Sequence, residues 1–285
     1  MLHHFLLTRF NLRLWSKDKT ERMIDWEQWL ERRMALFETY CLPSVMGQSY
    51  GEFTWVLLVD VNTPQAIMDR LHRCKQQCPQ IHLVRVRSEY GVHFAEVFSQ
   101  VTAKLLAEQQ AKEGDCCLTT YLDNDDCIAQ DFVEDTQHRC KHLTTPCFLS
   151  YDWGLQVYTE LEHFTTRICY PNNHFLTLVE TVCDEGFQPK TCYGYGSHFL
   201  VEKRELARVE HVSDATHPMW VELIHHENID NDVKMTLRTN IVTDKTLLRK
   251  RFLLDIDIHP NHRLAFAVRT MGQIYRRIRN KFRKQ

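Results

Sequence analysis

Three carboxylates stand almost side by side at the end of the stretch 119–126, Thr-Thr-Tyr-Leu-Asp-Asn-Asp-Asp: Asp123, Asp125 and Asp126. Residues two apart on an extended chain point to the same side, so Asp123 and Asp125 are expected to converge, or to reach one ion from a strand end that turns. Hard divalent cations take oxygen ligands, and Mg²⁺ is commonly held by one or two carboxylates together with substrate phosphates. That chemistry is a metal–diphosphate site. The plainer alternative is an acidic turn, with Asn124 and the aspartates capping a helix that starts near Ala129. The elements around the stretch have to decide.

Residues 116–122 are mostly apolar, β-branched or aromatic and are expected to form the strand that carries the aspartates. Upstream, residues 5–11 read as a first strand running into a polar end. Trp26, Leu30, Met34, Phe37 and Cys41 recur at helical spacing within 21–41, and Pro43 is expected to close that helix. Residues 53–60 are a near-continuous apolar run, the pattern of a strand covered on both faces. Asn62-Thr-Pro64 then caps a helix to about Cys78. Residues 81–87 predict a third strand, and a helix follows Gly91 over 94–113. Strand and helix alternating three times before the acidic strand predict an α/β fold, a mostly parallel sheet flanked by helices.

Ligands of open α/β sheets sit at the carboxyl ends of strands. At those ends fall Thr8, Arg9 and Asn11, then Asp60 and Asn62, then Arg85 and Arg87, then Asp123 and Asp125. These groups suit a base, a ribose, phosphates and a metal, which favours a nucleotide–metal site over a bland turn. Past Asp126 the pattern loosens. A helix is expected over 129–142, strands over 147–158, 164–169 and 191–202, and a short helix over 172–182. Residues 219–226 are helical or extended and run into His225-His226-Glu227-Asn228. Such a mixture suits an acceptor-binding half.

At 285 residues, 44% hydrophobic and 25% charged, the chain has the composition of one large globular domain. A net charge of −2 argues against a general polyanion binder, and without a nucleic-acid motif no nucleic acid is expected as partner. The eleven cysteines form no paired CxxC set, so reduced core thiols in a cytoplasmic protein are expected rather than zinc. No apolar run is long enough to cross a bilayer. After Asp257 there is no acidic residue, while Arg263, Arg269, Arg276, Arg277, Arg279, Lys281, Arg283 and Lys284 follow. Leu264, Val268, Met271, Ile274 or Tyr275, Ile278 and Phe282 recur there at steps of three and four. That is the pattern of a helix lying on an anionic membrane surface. A docked terminal helix with a solvated basic face is the alternative.

The stretches Thr8-Arg-Phe-Asn11, Trp29-Leu-Glu-Arg-Arg33 leading to Phe37, Pro43-Ser44 with Gln48, Phe53-Thr-Trp55 with Val59-Asp60, 119–126 and 220–228 resemble glycosyltransferases of the GT-A fold. More closely, the chain is similar to a bacterial rhamnosyltransferase family, over roughly residues 5–230. The resemblance implies a GT-A-like (Rossmann-like) domain at 1–243, its nucleotide-sugar half about 1–128 and its mixed α+β acceptor half about 129–243. A basic helical extension at 244–285 completes the chain.

What the resemblance implies for function is metal-dependent transfer of a sugar, rhamnose by the family's assignment, in surface polysaccharide synthesis. The donor is a nucleotide-sugar and the acceptor a saccharide or lipid-linked saccharide. Asp123 and Asp125 would hold Mn²⁺ or Mg²⁺ against the diphosphate, with His225 completing the set, His226 as a spare, and Asp126 helping or capping. Thr8, Asn11 and Asp60 fall at the donor end, Asp60 at the base or ribose position, and Arg9 and Arg85 or Arg87 toward the phosphates. An inverting enzyme needs a base for the acceptor hydroxyl. Asp214 is the first expectation, with Glu222, Asp184 and Asp152 as alternatives. Trp153 and Trp220 are expected to stack on acceptor sugars. The place of action would be the cytoplasm, peripherally at the inner face of the membrane through 263–285. Competing classes are a nucleotidyl- or phosphotransferase, disfavoured by nine glycines with no GxGxxG or Walker loop, and a non-catalytic scaffold using the basic tail.

Overall fold

The structure is a computed structural model that describes residues 1–14, 16, 23–88, 93–171, 173–184, 186–225 and 240–282. Two sheets organise it. The strands of the first half are β1 (Leu2–Arg9), β2 (Thr54–Asp60), β3 (Ile81–Val86), β4 (Cys116–Tyr121) and the short β5 (Cys127–Ile128). The second half adds β6 (Cys147–Tyr151), β7 (Trp153–Tyr158), β8 (Phe164–Cys169), β9 (Thr177–Thr181), β10 (Arg208–Val212), β11 (Trp220–Ile224) and β12 (Asn240–Ile241). The large sheet has the order β10-β6-β9-β4-β1-β2-β3 and the small one β12-β8-β7-β11-β5. β1 pairs in parallel with both β2 and β4, and β2 with β3.

The apolar runs are explained by burial on both faces. Leu6, Trp55, Leu57 and Val59 enter one core, and Phe5, Leu7, Val56 and Leu58 enter the other. The first core is covered by α1 (Trp26–Leu36), α3 (Gln65–Gln77) and α5 (Phe132–Cys140), and the second by α4 (Phe94–Glu108). Pro43 does not end the first helix. A π-helical turn, Phe37–Cys41, leads into α2 (Leu42–Met46), where the Leu42 N–H bonds the Phe37 carbonyl. Proline has no N–H to give and crowds the carbonyl four residues back. The wider turn just before it absorbs that misfit.

Three expectations for the second half change. Residues 172–182 hold no helix among the described residues but β9, which runs antiparallel between β4 and β6. Buried threonines on β4 and β9 explain this, since the Thr120 and Thr177 hydroxyls lie 2.6 Å apart. Residues 191–202 are turns and a short 3-10 helix, His198–Leu200, rather than a strand. Residues 147–158 split at Asp152, with β6 in the large sheet and β7 in the small one. Three strands from beyond residue 128 therefore complete the large sheet. Residues 244–258 also join the main core, through α6 (Leu247–Phe252) and Leu248, Phe252, Leu254 and Ile258. The last helix, α7 (Arg263–Phe282), follows. None of the cysteines is in a disulfide, and most are buried. Among the described residues no helix is long and apolar enough to cross a membrane.

His4, on β1, is buried, with Nε2 2.8 Å from the Thr120 hydroxyl and Nδ1 without a partner. Burial pulls its imidazole down to about 3. The folded pKa is depressed, so below about 6.5 the unfolded chain binds a proton that folded His4 refuses. Stability from this residue alone therefore falls by about 1.4 kcal/mol per pH unit below that point. Urea unfolding at pH 7 and pH 5 should show wild type losing about 2 kcal/mol more than His4→Gln over the interval. Equal losses would contradict this account.

Candidate active site

β4 ends at Tyr121, and the chain turns at Asn124 and Asp125. The Asp126 N–H bonds the Asp123 carbonyl at 3.3 Å, closing a four-residue turn. Strand alternation stops there, and among the described residues the expected set Asp123, Asp125 and His225 does not form a group of three ligands close enough to share an ion. The two ends of the turn, Asp123 and Asp126, come together instead. With His174 they form a set whose ligand atoms all lie within 4.8 Å of one another.

Each member is held differently. Asp126 is fully buried. One oxygen accepts the Leu223 N–H at 3.0 Å and the other lies 2.7 Å from His174 Nε2. Burial pushes its carboxyl up to about 7, against the pull of His174. For His174 burial opposes the charge, but Asp126 outweighs it and the imidazole is raised. Asp123 has 28% of its side chain exposed. It lies 3.5 Å from Arg9 Nη2 and accepts from the Tyr121 hydroxyl at 3.4 Å. Two carboxylates and one imidazole, one carboxylate reaching solvent, form a donor set that suits Mn²⁺ or Mg²⁺.

Asp125 has a separate set of partners. Arg33 Nη1 is 2.5 Å from its carboxylate and His225 Nε2 is 2.9 Å away. Burial pushes this carboxyl up, but Arg33 and His225 outweigh it and hold it below the usual range. Arg33 also donates to Asn124 Oδ1 at 3.2 Å and lies over the Trp29 ring. Asp125 and His225 are thus brought together as expected, but as part of a buried ion-pair network beneath the turn.

Arg9, Tyr121 and His174 line a cavity of about 690 Å³ together with Phe94, Tyr193 and His198. The Arg9 guanidinium lies 4.9 Å from the Phe94 ring centre and 5.3 Å from that of Tyr193, and its Nη2 meets the Tyr121 hydroxyl. Its buried Nε has no partner. Tyr193 stacks on Phe98 at 4.7 Å. The cavity therefore offers one fixed cation in an aromatic frame, beside the acidic cluster.

The other expected residues divide. Thr8 is buried, donating to the Leu122 carbonyl and accepting from the Trp55 indole. Asn11 donates to Thr63 and accepts the Asp60 N–H, while Asp60 receives Asn62 and Ser88. These groups knit the loops at the carboxyl ends of β1–β3. Arg85 and Arg87 are exposed on or beside edge strand β3, and Arg85 bonds the Val61 carbonyl. Trp220 is 1% exposed, stacked on Phe175 and pressed against Gly154, so it offers no face to a sugar. Trp153 is buried too, its indole donating to Ser213.

Asp214 is exposed, with one oxygen taken by the N–H and hydroxyl of Thr216. It borders a space of only about 20 Å³ that none of the cluster residues lines. Asp152 pairs with His211, and Asp184 accepts the Gly186 N–H. Glu222 is buried, accepts from Gln156 at 2.7 Å, and its charge is felt by His174. His226, the spare ligand, lies outside the described residues.

His174, Arg33 and Tyr193 were not expected at the site. His174 follows Pro171 and two asparagines, a turn signal that the helix expected over 172–182 obscured. Arg33 sat in view within a helical pattern, but nothing in its spacing points to a carboxylate far along the chain.

A central β3-β2-β1-β4 parallel core, an antiparallel insertion beside β4, and an acidic turn opening on a cation-lined cavity define a GT-A-like glycosyltransferase fold. The chain belongs to the family described as "Putative rhamnosyl transferase", whose model matches residues 4–237. No curated protein sequence matches it. Among solved structures it is similar to TarS 1-349 of S. aureus, at 11% identity, TM-score 0.38, covering 78% of this chain and 60% of that one. The same protein in complex with UDP-GlcNAc gives 10% identity and TM-score 0.39, covering 92% and 69%. A nucleoside-diphosphate-sugar pyrophosphorylase of Vibrio cholerae RC9 gives 11% and 0.35, covering 75% and 92%. This chain thus spans about three fifths of the first of these. At such scores the fold rests on the chain's own strand order and its family.

The buried network under the turn has a measurable consequence. Arg33→Met removes the partner of a buried carboxylate and is expected to cost about 3 kcal/mol or more. Chemical denaturation checks this, and a loss below about 1 kcal/mol would contradict it.

Proposed function

We propose that this protein transfers a sugar from a nucleotide-sugar to a saccharide or lipid-linked saccharide, with a divalent cation, Mn²⁺ or Mg²⁺, as cofactor. The carrying observation is the Asp123–Asp126–His174 cluster beside the Arg9-lined cavity at the carboxyl ends of β1 and β4. The family's description supports rhamnose as the sugar, and surface polysaccharide synthesis as the setting.

In this reading Asp123, Asp126 and His174 hold the cation, which when bound neutralises charge on a departing diphosphate. Arg9, which lies beside Asp123, orients and neutralises the phosphate oxygens. Its guanidinium suits bidentate contact, and the surrounding rings exclude water that would weaken that contact. Phe94 and Tyr193 give flat surfaces for a base or sugar ring. Asp60 and Asn11 support the loops that border the donor, and Asp125, Arg33 and His225 hold the turn in place.

Thermal unfolding against UDP, GDP and dTDP, each with and without Mn²⁺, tests the reading. A ligand at about a hundred times its dissociation constant adds roughly 2.7 kcal/mol, or roughly 5–10 °C for a chain of this size. One nucleotide should stabilise in a Mn²⁺-dependent way, and Arg9→Gln should abolish most of the gain. No response by the folded protein to any of them would overturn the proposal. Release of pyrophosphate instead of nucleoside diphosphate during turnover would move it to the nucleotidyltransferase class.

A further inference from the structure

Among the described side chains of the helix α7, Phe266 and Thr270 are buried against the body. Phe266 is buried against Tyr158 and Phe164, with ring centres 5.2 Å and 5.0 Å away, and Ile224 belongs to the same small core. Thr270 is also buried, its hydroxyl returned to the Phe266 carbonyl. A helix docked by one stripe normally turns charged and polar residues outward. This one turns out an apolar row: Leu264 is 78% exposed, Val268 58%, Met271 62% and Tyr275 66%. At about 100° per residue these four fall within a wedge of about 60°, and Phe266 and Thr270 lie roughly opposite. Residues beyond Asp257 carry eight Lys and Arg and no Asp or Glu.

We infer that α7 is a membrane-surface helix, with the row Leu264, Val268, Met271 and Tyr275 entering the interface of an anionic lipid bilayer. Charge chooses this occupant. A second copy would set one basic helix against another, whereas anionic headgroups complement the basic residues and attract them over a Debye length. The apolar row alone gives marginal adsorption, and row and charge together give a stable one. Ile224, which packs with Phe266, directly precedes His225 under the acidic turn. A bilayer on the outer side of α7 therefore holds the proposed site at a short, fixed remove from the surface. That is where a lipid-linked acceptor would present its sugar, a consequence that rests on the proposed function, while the membrane contact itself does not.

The test is vesicle flotation of the full chain, without nucleotide or metal. Vesicles of phosphatidylcholine with phosphatidylglycerol are compared with phosphatidylcholine alone. Wild type is expected to bind the anionic vesicles about tenfold or more tightly than the neutral ones. The double variants Leu264→Glu/Met271→Glu and Val268→Ser/Tyr275→Ser should lose about tenfold of that binding, with thermal unfolding unchanged. Absence of wild-type binding, or equal binding by wild type and both variants, overturns the inference. So does a wild-type dimer that the variants turn into monomer without any vesicle binding, since the row would then cover a second copy. Because neither donor nor metal is present, failure here leaves the nucleotide-sugar reading standing, and failure of that reading leaves this one.

Discussion

Three aspartates in four residues repel one another, and two of them are buried, so the turn at 123–126 is stable only because each carboxylate has its own partner. Asp125 has Arg33 and His225, Asp126 has His174 and the Leu223 N–H, and Asp123 has Arg9, Tyr121 and solvent. Removing a partner of Asp125 or Asp126 leaves a buried carboxylate poorly compensated, which costs more than the contact itself is worth. The partners come from β1, α1, the loop before β9 and β11, so the turn ties together elements far apart in the chain.

The same turn is where the chain passes between the two sheets. β4 belongs to the large sheet, and β5, directly after Asp126, pairs antiparallel with β11 of the small sheet. β6 and β7 make a second such passage at Asp152. A site at such a junction draws one wall from each sheet. Arg9 and Tyr121 come from the parallel strands of the large sheet, and Leu223 and His225 come from β11 and its end. The acidic cluster is held from both sides, so its spacing does not depend on loop conformation alone.

The parallel core was legible because its strands are buried on both faces and so are written as apolar runs, with Leu6 and Leu57 entering one core and Leu7 and Leu58 the other. The acidic turn and the place of Arg9 beside it were legible because polar groups at strand ends need a reason. The pairing of Asp123 with Asp126 was not. It depends on where β4 stops, and one residue of difference exchanges which carboxylates share a side. The strand β9 was hidden because its hydroxyls, Thr177 and Thr181, interrupt an apolar alternation that its cross-strand partners satisfy. Trp220 was misleading for the opposite reason. A tryptophan beside polar residues suggests a sugar platform, and here the missing side chain of Gly154 makes the room in the core that its indole fills.

The turn sorts its carboxylates: Asp123 and Asp126 gather with His174, where we propose that the cation binds, and Asp125 pairs with Arg33 and His225. Titration of Mn²⁺ alone, followed by the loss of its free paramagnetic signal, tests this in wild type, Asp126→Asn and Asp125→Asn. The account predicts affinity about tenfold or more weaker in Asp126→Asn. In folded Asp125→Asn the affinity should stay close to wild type while stability against denaturant falls. Loss of Mn²⁺ binding in Asp125→Asn with binding retained in Asp126→Asn would contradict it and return the cation to the pairing of Asp123 with Asp125.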